Sequence, residues 1–169
     1  YGWAAGAHIA AINATTQGQV TAVYSSRALD DAELSAKHGS PIKSYQNLDE
    51  MLSDPDIHVV DITSYPSQHR NQAIAAANAK KHVILEKPMA NSLQEVREIA
   101  AAVKANGVKG CVCFECRFSG QMLSTKAVIE EGLLGSIHYG EVDYYHGIGP
   151  WYGQFRWNVG KKDGGSALL

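Results

Sequence analysis

His82-Val83-Ile84-Leu85-Glu86-Lys87-Pro88 is the stretch whose reading decides the fold. His82 to Leu85 is a short, apolar, branched run, the signal of a buried strand. It stops on two charges and a proline, which fixes φ and donates no amide hydrogen. Upstream, Pro66 opens an alanine-rich stretch read as a helix from Gln68 to about Lys80. Before it, His58-Val59-Val60-Asp61-Ile62-Thr63 reads as another strand. Downstream, Ser92 and Glu95 have capping-box spacing, and Leu93, Val96, Ile99, Ala100 and Val103 recur at helical spacing. Asn106-Gly107 ends that helix, and Gly110 to Phe114 is the next strand. Strands alternating with helices predict βαβ units and a parallel sheet.

Further upstream the pattern continues. Ala4 to about Thr16 has the length and composition of a helix, and Val20 to Tyr24 is a β-branched strand signal. Asp30 with Glu33, and Asn47 with Glu50, mark two more helix starts, and Gly39 supplies a stop. Beyond Phe118 the texture changes. A helix is predicted from Gln121 to Glu131, stopped by Gly132, followed by an alternating, half-exposed strand from Ile137 to Tyr145. Gly147 to Gly165 is rich in glycine and aromatics. The division expected is 1–117 and 118–169.

The 169 residues are 45% hydrophobic and 19% charged, an ordinary globular composition. A net charge of -2 gives no electrostatic case for nucleic acid or a membrane surface. No apolar run approaches the roughly 20 residues of a membrane helix. Three cysteines crowd at Cys111, Cys113 and Cys116, so a disulfide framework is not expected and a reducing, cytoplasmic setting fits. The chain opens on a turn at Tyr1-Gly2-Trp3 and closes on an apolar run. We therefore expect a first strand before Tyr1 and more of the second unit after Leu169.

Two segments carry candidate chemistry. Gly2-Trp3-Ala4-Ala5 matches the second and third small positions of a G-x-G-x-x-G/A turn, where backbone amides and a helix start meet a pyrophosphate. A plain glycine turn has the same residues. About 20 residues on, an acid would bind a ribose 2′-hydroxyl; here stand Ser25, Ser26 and Arg27, which suit a 2′-phosphate instead. That favours NADP over NAD, unless the segment is an ordinary solvated strand end. Lys87 sits at a strand's carboxyl end, where α/β folds bind ligands. Partial desolvation would let it exchange a proton with a hydroxyl, with Glu86 orienting it; a solvated Lys–Glu pair is the other reading.

Further candidates are weaker in isolation. Arg117 reads as a cofactor contact or a hinge ion pair. His69 reads as a cofactor contact or as a helix-start histidine bonded to backbone. Trp151, Tyr152, Arg156 and Trp157 suit stacking on sugar faces and donating to hydroxyls, and equally suit packing or a subunit interface. No metal site is expected: the cysteine cluster lacks a fourth ligand nearby, and no H-E-x-x-H spacing occurs.

Taken in order, the Gly2 turn with His8, Asp54-Pro55-Asp56-Ile57, His69, Glu86-Lys87-Pro88, Arg117-Phe118, Gly132-Leu133-Leu134-Gly135 and Gly164-Gly165 resemble the Gfo/Idh/MocA oxidoreductases. The resemblance covers essentially the whole chain. It implies a Rossmann-type doubly wound parallel sheet, followed by an α/β domain with a mostly antiparallel sheet. It also implies hydride transfer between NADP or NAD and a sugar, polyol or related secondary alcohol, by a homo-oligomer. Carried over, Lys87 is the catalytic and substrate-facing lysine, Gly2 and Ala5 line the pyrophosphate, Ser25 takes the ribose-binding position, and Lys87 and Glu86 lie near the nicotinamide. With the candidates read from the residues, the set expected at the cofactor is Gly2, Trp3, Ala4, Ala5, Ser25, Ser26, Arg27, Thr63, Ser64, His69, Glu86, Lys87 and Arg117. The family's T-P-N is here Thr63-Ser64-Tyr65-Pro66-Ser67, which puts that loop's contacts in doubt. Its D-x-x-x-H motif would fall beyond Leu169, so residues 1–169 alone are expected to be inactive. A transient-oxidation glycosidase and a non-catalytic dinucleotide sensor remain as alternatives.

Overall fold

The structure, a computed structural model, describes residues 1–145 and 161–164. Helix α1 (Trp3–Asn13) is followed by strand β1 (Ala22–Tyr24). In α2 (Asp31–His38), Asp30 accepts from the Glu33 amide and Gly39 closes the helix at φ 68°. That left-handed position costs glycine nothing because it has no Cβ. β2 (Lys43–Tyr45) leads to α3 (Leu48–Ser53), whose first amides are capped by Asn47. β3 (Val59–Ile62) precedes α4 (Pro66–Asn78), which starts on its proline, where no amide partner is needed. β4 (His82–Glu86), α5 (Leu93–Asn106, capped by Ser92 and closed by Gly107) and β5 (Gly110–Cys113) complete the alternating run. A 3-10 turn at Glu115–Phe118, α6 (Gly120–Glu130) and the short α7 (Lys161–Gly164) follow.

All the strand pairings among the described residues are parallel. β1 pairs with β2, and β3-β4-β5 form a second ladder in that order. This is the Rossmann-type parallel α/β architecture expected from the sequence. The main core joins Val60, Ile62, Val83 and Leu85 of the strands to Ala73 and Ala76 of α4 and to Ile99 of α5. Alanines on α4 leave no side-chain bulk between that helix and the sheet. A smaller cluster of Ile9, Val23, Leu34 and Ile42 holds α1 and α2 against β1. An Arg70–Glu98 ion pair links α4 to α5.

Two expectations are corrected. The predicted strand from Ile137 to Tyr145 is not a strand; the segment carries no ladder and its side chains are exposed. Alternation describes side chains, whereas a strand also needs a neighbouring backbone, and none of the described residues supplies one. Conversely, β2 went unpredicted because three residues are too few for any period. The first helix ends at Asn13 rather than near Thr16, where Thr15 turns back onto the Ile12 carbonyl. No described helix is long and apolar enough to cross a membrane.

Candidate functional site

Within each ladder, parallel pairing brings the strands' carboxyl ends to one edge, and the predicted residues follow those ends. Ser25 to Arg27 leave β1, Thr63 and Ser64 leave β3, Glu86 and Lys87 end β4, and Arg117 follows β5. Gly2 precedes α1 in extended backbone, and a Cβ there would meet nothing within 4 Å. The space over the helix start is open. Gly2 offers no side-chain cap and the first turn carries no acid, whereas α2, α3, α5 and α6 are each capped by a side chain. An uncapped, uncharged helix start with open space above it is suited to an anion. Trp3 is 85% exposed at that start, Ala4 is half-buried, and Ala5 is buried beneath it.

The other predicted residues divide by environment. Ser25 is buried, and its Oγ accepts from the Arg27 amide at 3.1 Å, so it shapes its own turn. Ser26 and Arg27 are exposed; the Arg27 guanidinium donates to the Tyr1 carbonyl at 3.4 Å. Thr63 is half-buried, and the Ser64 hydroxyl donates to Gln72 Oε1 at 2.7 Å. Lys87 is exposed, so the desolvation anticipated for it is not provided by the described residues. Its peptide bond to Pro88 is cis. Arg117 is exposed, with its guanidinium 5.9 Å from the Phe114 ring centre. Trp151, Tyr152, Arg156 and Trp157 lie outside the described residues.

His69 is enclosed by backbone. It is 0% exposed, with Nδ1 2.8 Å from the Pro88 carbonyl and Nε2 3.1 Å from the Ser64 carbonyl. Of the two readings, this arrangement matches the helix-start histidine bonded to backbone. It ties the turn after β3 to the turn after β4.

Sequence reasoning missed the polar group beneath this edge. His8 of α1 places Nδ1 2.8 Å from Asp61 Oδ2 and Nε2 3.1 Å from Glu86 Oε1. Glu86 Oε2 accepts from the Lys87 amide at 3.0 Å, so Glu86 orients Lys87 through its backbone. Burial pushes His8 down, but the charge and hydrogen bond of Asp61, then those of Glu86, raise it above the ordinary 6.5. Burial raises Asp61, and His8 only partly offsets this. Cys113, register partner of Glu86, has its thiol pushed up to about 11 by burial and by the Asp61 and Glu86 charges. The only sequence hint was the position of His8 after the Gly2 turn.

Two surface hollows lie elsewhere. One of about 590 Å³, lined by Asn13, Gly18, His38 and Ser40, sits at the amino ends of β1 and β2. An apolar groove of about 260 Å³ runs between α5 and the β4-β5 face. Neither adjoins the Gly2 turn. At the edge itself, Ser67 of α4 donates to Asp163 of α7 at 3.0 Å, bringing the late chain to the start of α4.

The chain matches known proteins along this arrangement. A family model described as "Oxidoreductase family, NAD-binding Rossmann fold" matches residues 1–114. An uncharacterized oxidoreductase of Synechocystis sp. is 32% identical over 168 residues, covering 99% of this chain and 45% of that protein. The scyllo-inositol 2-dehydrogenase (NADP(+)) of Bacillus subtilis is 40% identical over 90 residues, covering 53% of this chain and 27% of that protein. A probable dehydrogenase from Thermotoga maritima superposes with a TM-score of 0.72 at 27% identity, over 80% of this chain and 40% of that one. The chain thus spans less than half of each relative's length. The matched segment holds the uncapped α1 start, the β1 end and the Glu86-Lys87 turn: the chain belongs to the Gfo/Idh/MocA oxidoreductases, and residues 1–114 are its NAD-binding Rossmann fold.

Proposed function

We propose that the protein transfers a hydride between a nicotinamide dinucleotide, NADP in preference to NAD, and a secondary alcohol carbon of a sugar or polyol. One observation carries the reading: α1 joins the two strand ends, since the residue before its open start meets the Tyr24 carbonyl at the β1 end and His8 within it meets Glu86, beside Lys87, at the β4 end. The residues fit a dinucleotide. The α1 amides would hold the pyrophosphate, and Ser26 with Arg27 would meet a 2′-phosphate. Thr63, Ser64 and Arg117 would border the cofactor, and Ser25 and His69 act by shaping the turns. The bound nicotinamide supplies a carbon that donates or accepts hydride.

Lys87 Nζ would donate to the substrate oxygen during reduction and take up the hydroxyl proton during oxidation. Its exposure here means that cofactor and substrate must themselves exclude water around it. Glu86 holds the Lys87 amide, fixing where the side chain starts. We assign residues 1–117 to the dinucleotide unit and 118–169 to the start of a substrate-facing unit. Three free thiols support a reducing, cytoplasmic setting. The name of the Bacillus subtilis relative supports both the polyol class and NADP.

The test is calorimetric titration of the protein with NADPH and NADH, repeated on Lys87→Ala. NADPH should bind more tightly, and the variant should keep that affinity within about threefold. In a protein that spans its relatives' length, the same substitution should cut turnover of a polyol panel by about 10²–10⁴-fold, the ordinary contribution of a general acid–base group. If neither nucleotide binds, the oxidoreductase reading falls; a preference for NADH removes only the role given to Ser26 and Arg27.

A further inference from the structure

The polar group below the catalytic edge has the composition of a three-ligand metal centre. His8 from α1, Glu86 from β4 and Cys113 from β5 each offer one donor atom, and the three lie within 4.8 Å of one another. We propose that His8 Nε2, Glu86 Oε1 and Cys113 Sγ bind a zinc-class divalent cation, with Asp61 holding His8 from behind. Three features carry this.

The first is spacing. Nε2 and Oε1 are 3.1 Å apart. Two bonds of about 2.0–2.1 Å at a tetrahedral angle put their donors about 3.3 Å apart. The second is the outer contact. His8 Nδ1 faces Asp61 Oδ2 at 2.8 Å, the carboxylate–histidine pairing that fixes which nitrogen meets a metal. The third is charge. Asp61 and Glu86 flank a single imidazole, and Asp61 Oδ1 is buried with no hydrogen-bond partner among the described residues. Even a fully protonated imidazole leaves the group one negative charge in excess.

One nitrogen, one sulfur and one carboxylate oxygen select a borderline-soft cation over magnesium or calcium. Three protein ligands leave a fourth position for water. The protons balance: coordination displaces one from His8 Nε2 and one from the Cys113 thiol, both released to solvent, so net charge is unchanged. Glu86 keeps the Lys87 amide through its other oxygen. Such an ion would cross-link the helix that Gly2 precedes to the strand that Lys87 follows. The inference stands on the fold and does not depend on the substrate proposed above.

Metal-stripped protein titrated with Co(II) should bind one equivalent and develop near-ultraviolet thiolate-to-cobalt absorption, reversed by Zn(II). Cys113→Ala should abolish that absorption, while Cys111→Ala and Cys116→Ala keep it. Cys113→Ser, nearly isosteric and checked for folding by circular dichroism, should behave as Cys113→Ala. Asp61→Asn should weaken binding about 10–100-fold, as loss of an outer carboxylate does. Absence of saturable Co(II) binding, absorption that survives in both Cys113 variants, or equally tight magnesium binding would each overturn the site.

Discussion

Replacing His69 by Ala tests whether one imidazole holds two turns of the site together. The ring nitrogens meet the carbonyls of Pro88 and Ser64 at 2.8 and 3.1 Å, and a neutral ring donates to one of the two, so removing it strands one carbonyl. An acceptor left without a donor in the interior costs about 1–3 kcal/mol. The cavity left by a side chain that is 0% exposed adds to this. The carbonyl belongs to a turn, which can shift toward water, so the two together come to about 3 kcal/mol. Urea unfolding followed by far-ultraviolet circular dichroism measures this directly. With a slope of about 2 kcal/mol/M, the midpoint should fall by about 1.5 M. His69→Gln keeps one donor and should recover part of the loss. A midpoint for His69→Ala within about 0.3 M of the parent would refute the argument, since the carbonyls would then need no imidazole.

Three further outcomes are expected. Gly107→Ala should destabilise by about 1–2 kcal/mol in the same urea assay, because φ is 66° and the added Cβ meets nothing within 4 Å, so backbone strain is the whole effect. The Tyr45 hydroxyl donates to Asp54 at 2.6 Å and, with the Asp56 amide, holds that carboxyl below its ordinary 3.8. A lowered carboxyl stabilises the fold fully above that value and loses its contribution as pH falls through the folded pKa, so Tyr45→Phe should flatten the acid limb of stability against pH while Tyr24→Phe should not. Arg27→Glu should weaken NADPH about tenfold or more, by loss of a charged hydrogen bond, and leave NADH nearly unchanged; equal losses for both nucleotides would remove Arg27 from the 2′-phosphate.

Local signals were legible where local chemistry decides. Asp30, Asn47 and Ser92 each cap the helix that their spacing announced, and Gly39 and Gly107 close theirs in the left-handed region. The Glu86-Lys87 turn likewise falls where a strand ends. What could not be read depends on partners far along the chain. His8 meets Asp61 across 53 residues and Glu86 across 78, and no spacing encodes such a meeting. Cys113 joins them only through strand register. By sequence His69 suits either a cofactor contact or a backbone clamp, and burial is what separates the two. The segment from Ile137 to Tyr145 shows the opposite error, a real periodicity with no neighbouring strand among the described residues.

Trp3 gives the α1 start its own optical reporter. It is one of three tryptophans, and it stands in the first turn of the helix whose amides the pyrophosphate would meet. Reduced nicotinamides absorb in the region where indoles emit, so a bound reduced cofactor would draw energy from Trp3 while the oxidised form would not. Subtracting the emission of Trp3→Phe isolates that signal from Trp151 and Trp157. Occupancy and redox state could then be followed at the phosphate end of the site during turnover, without adding a label.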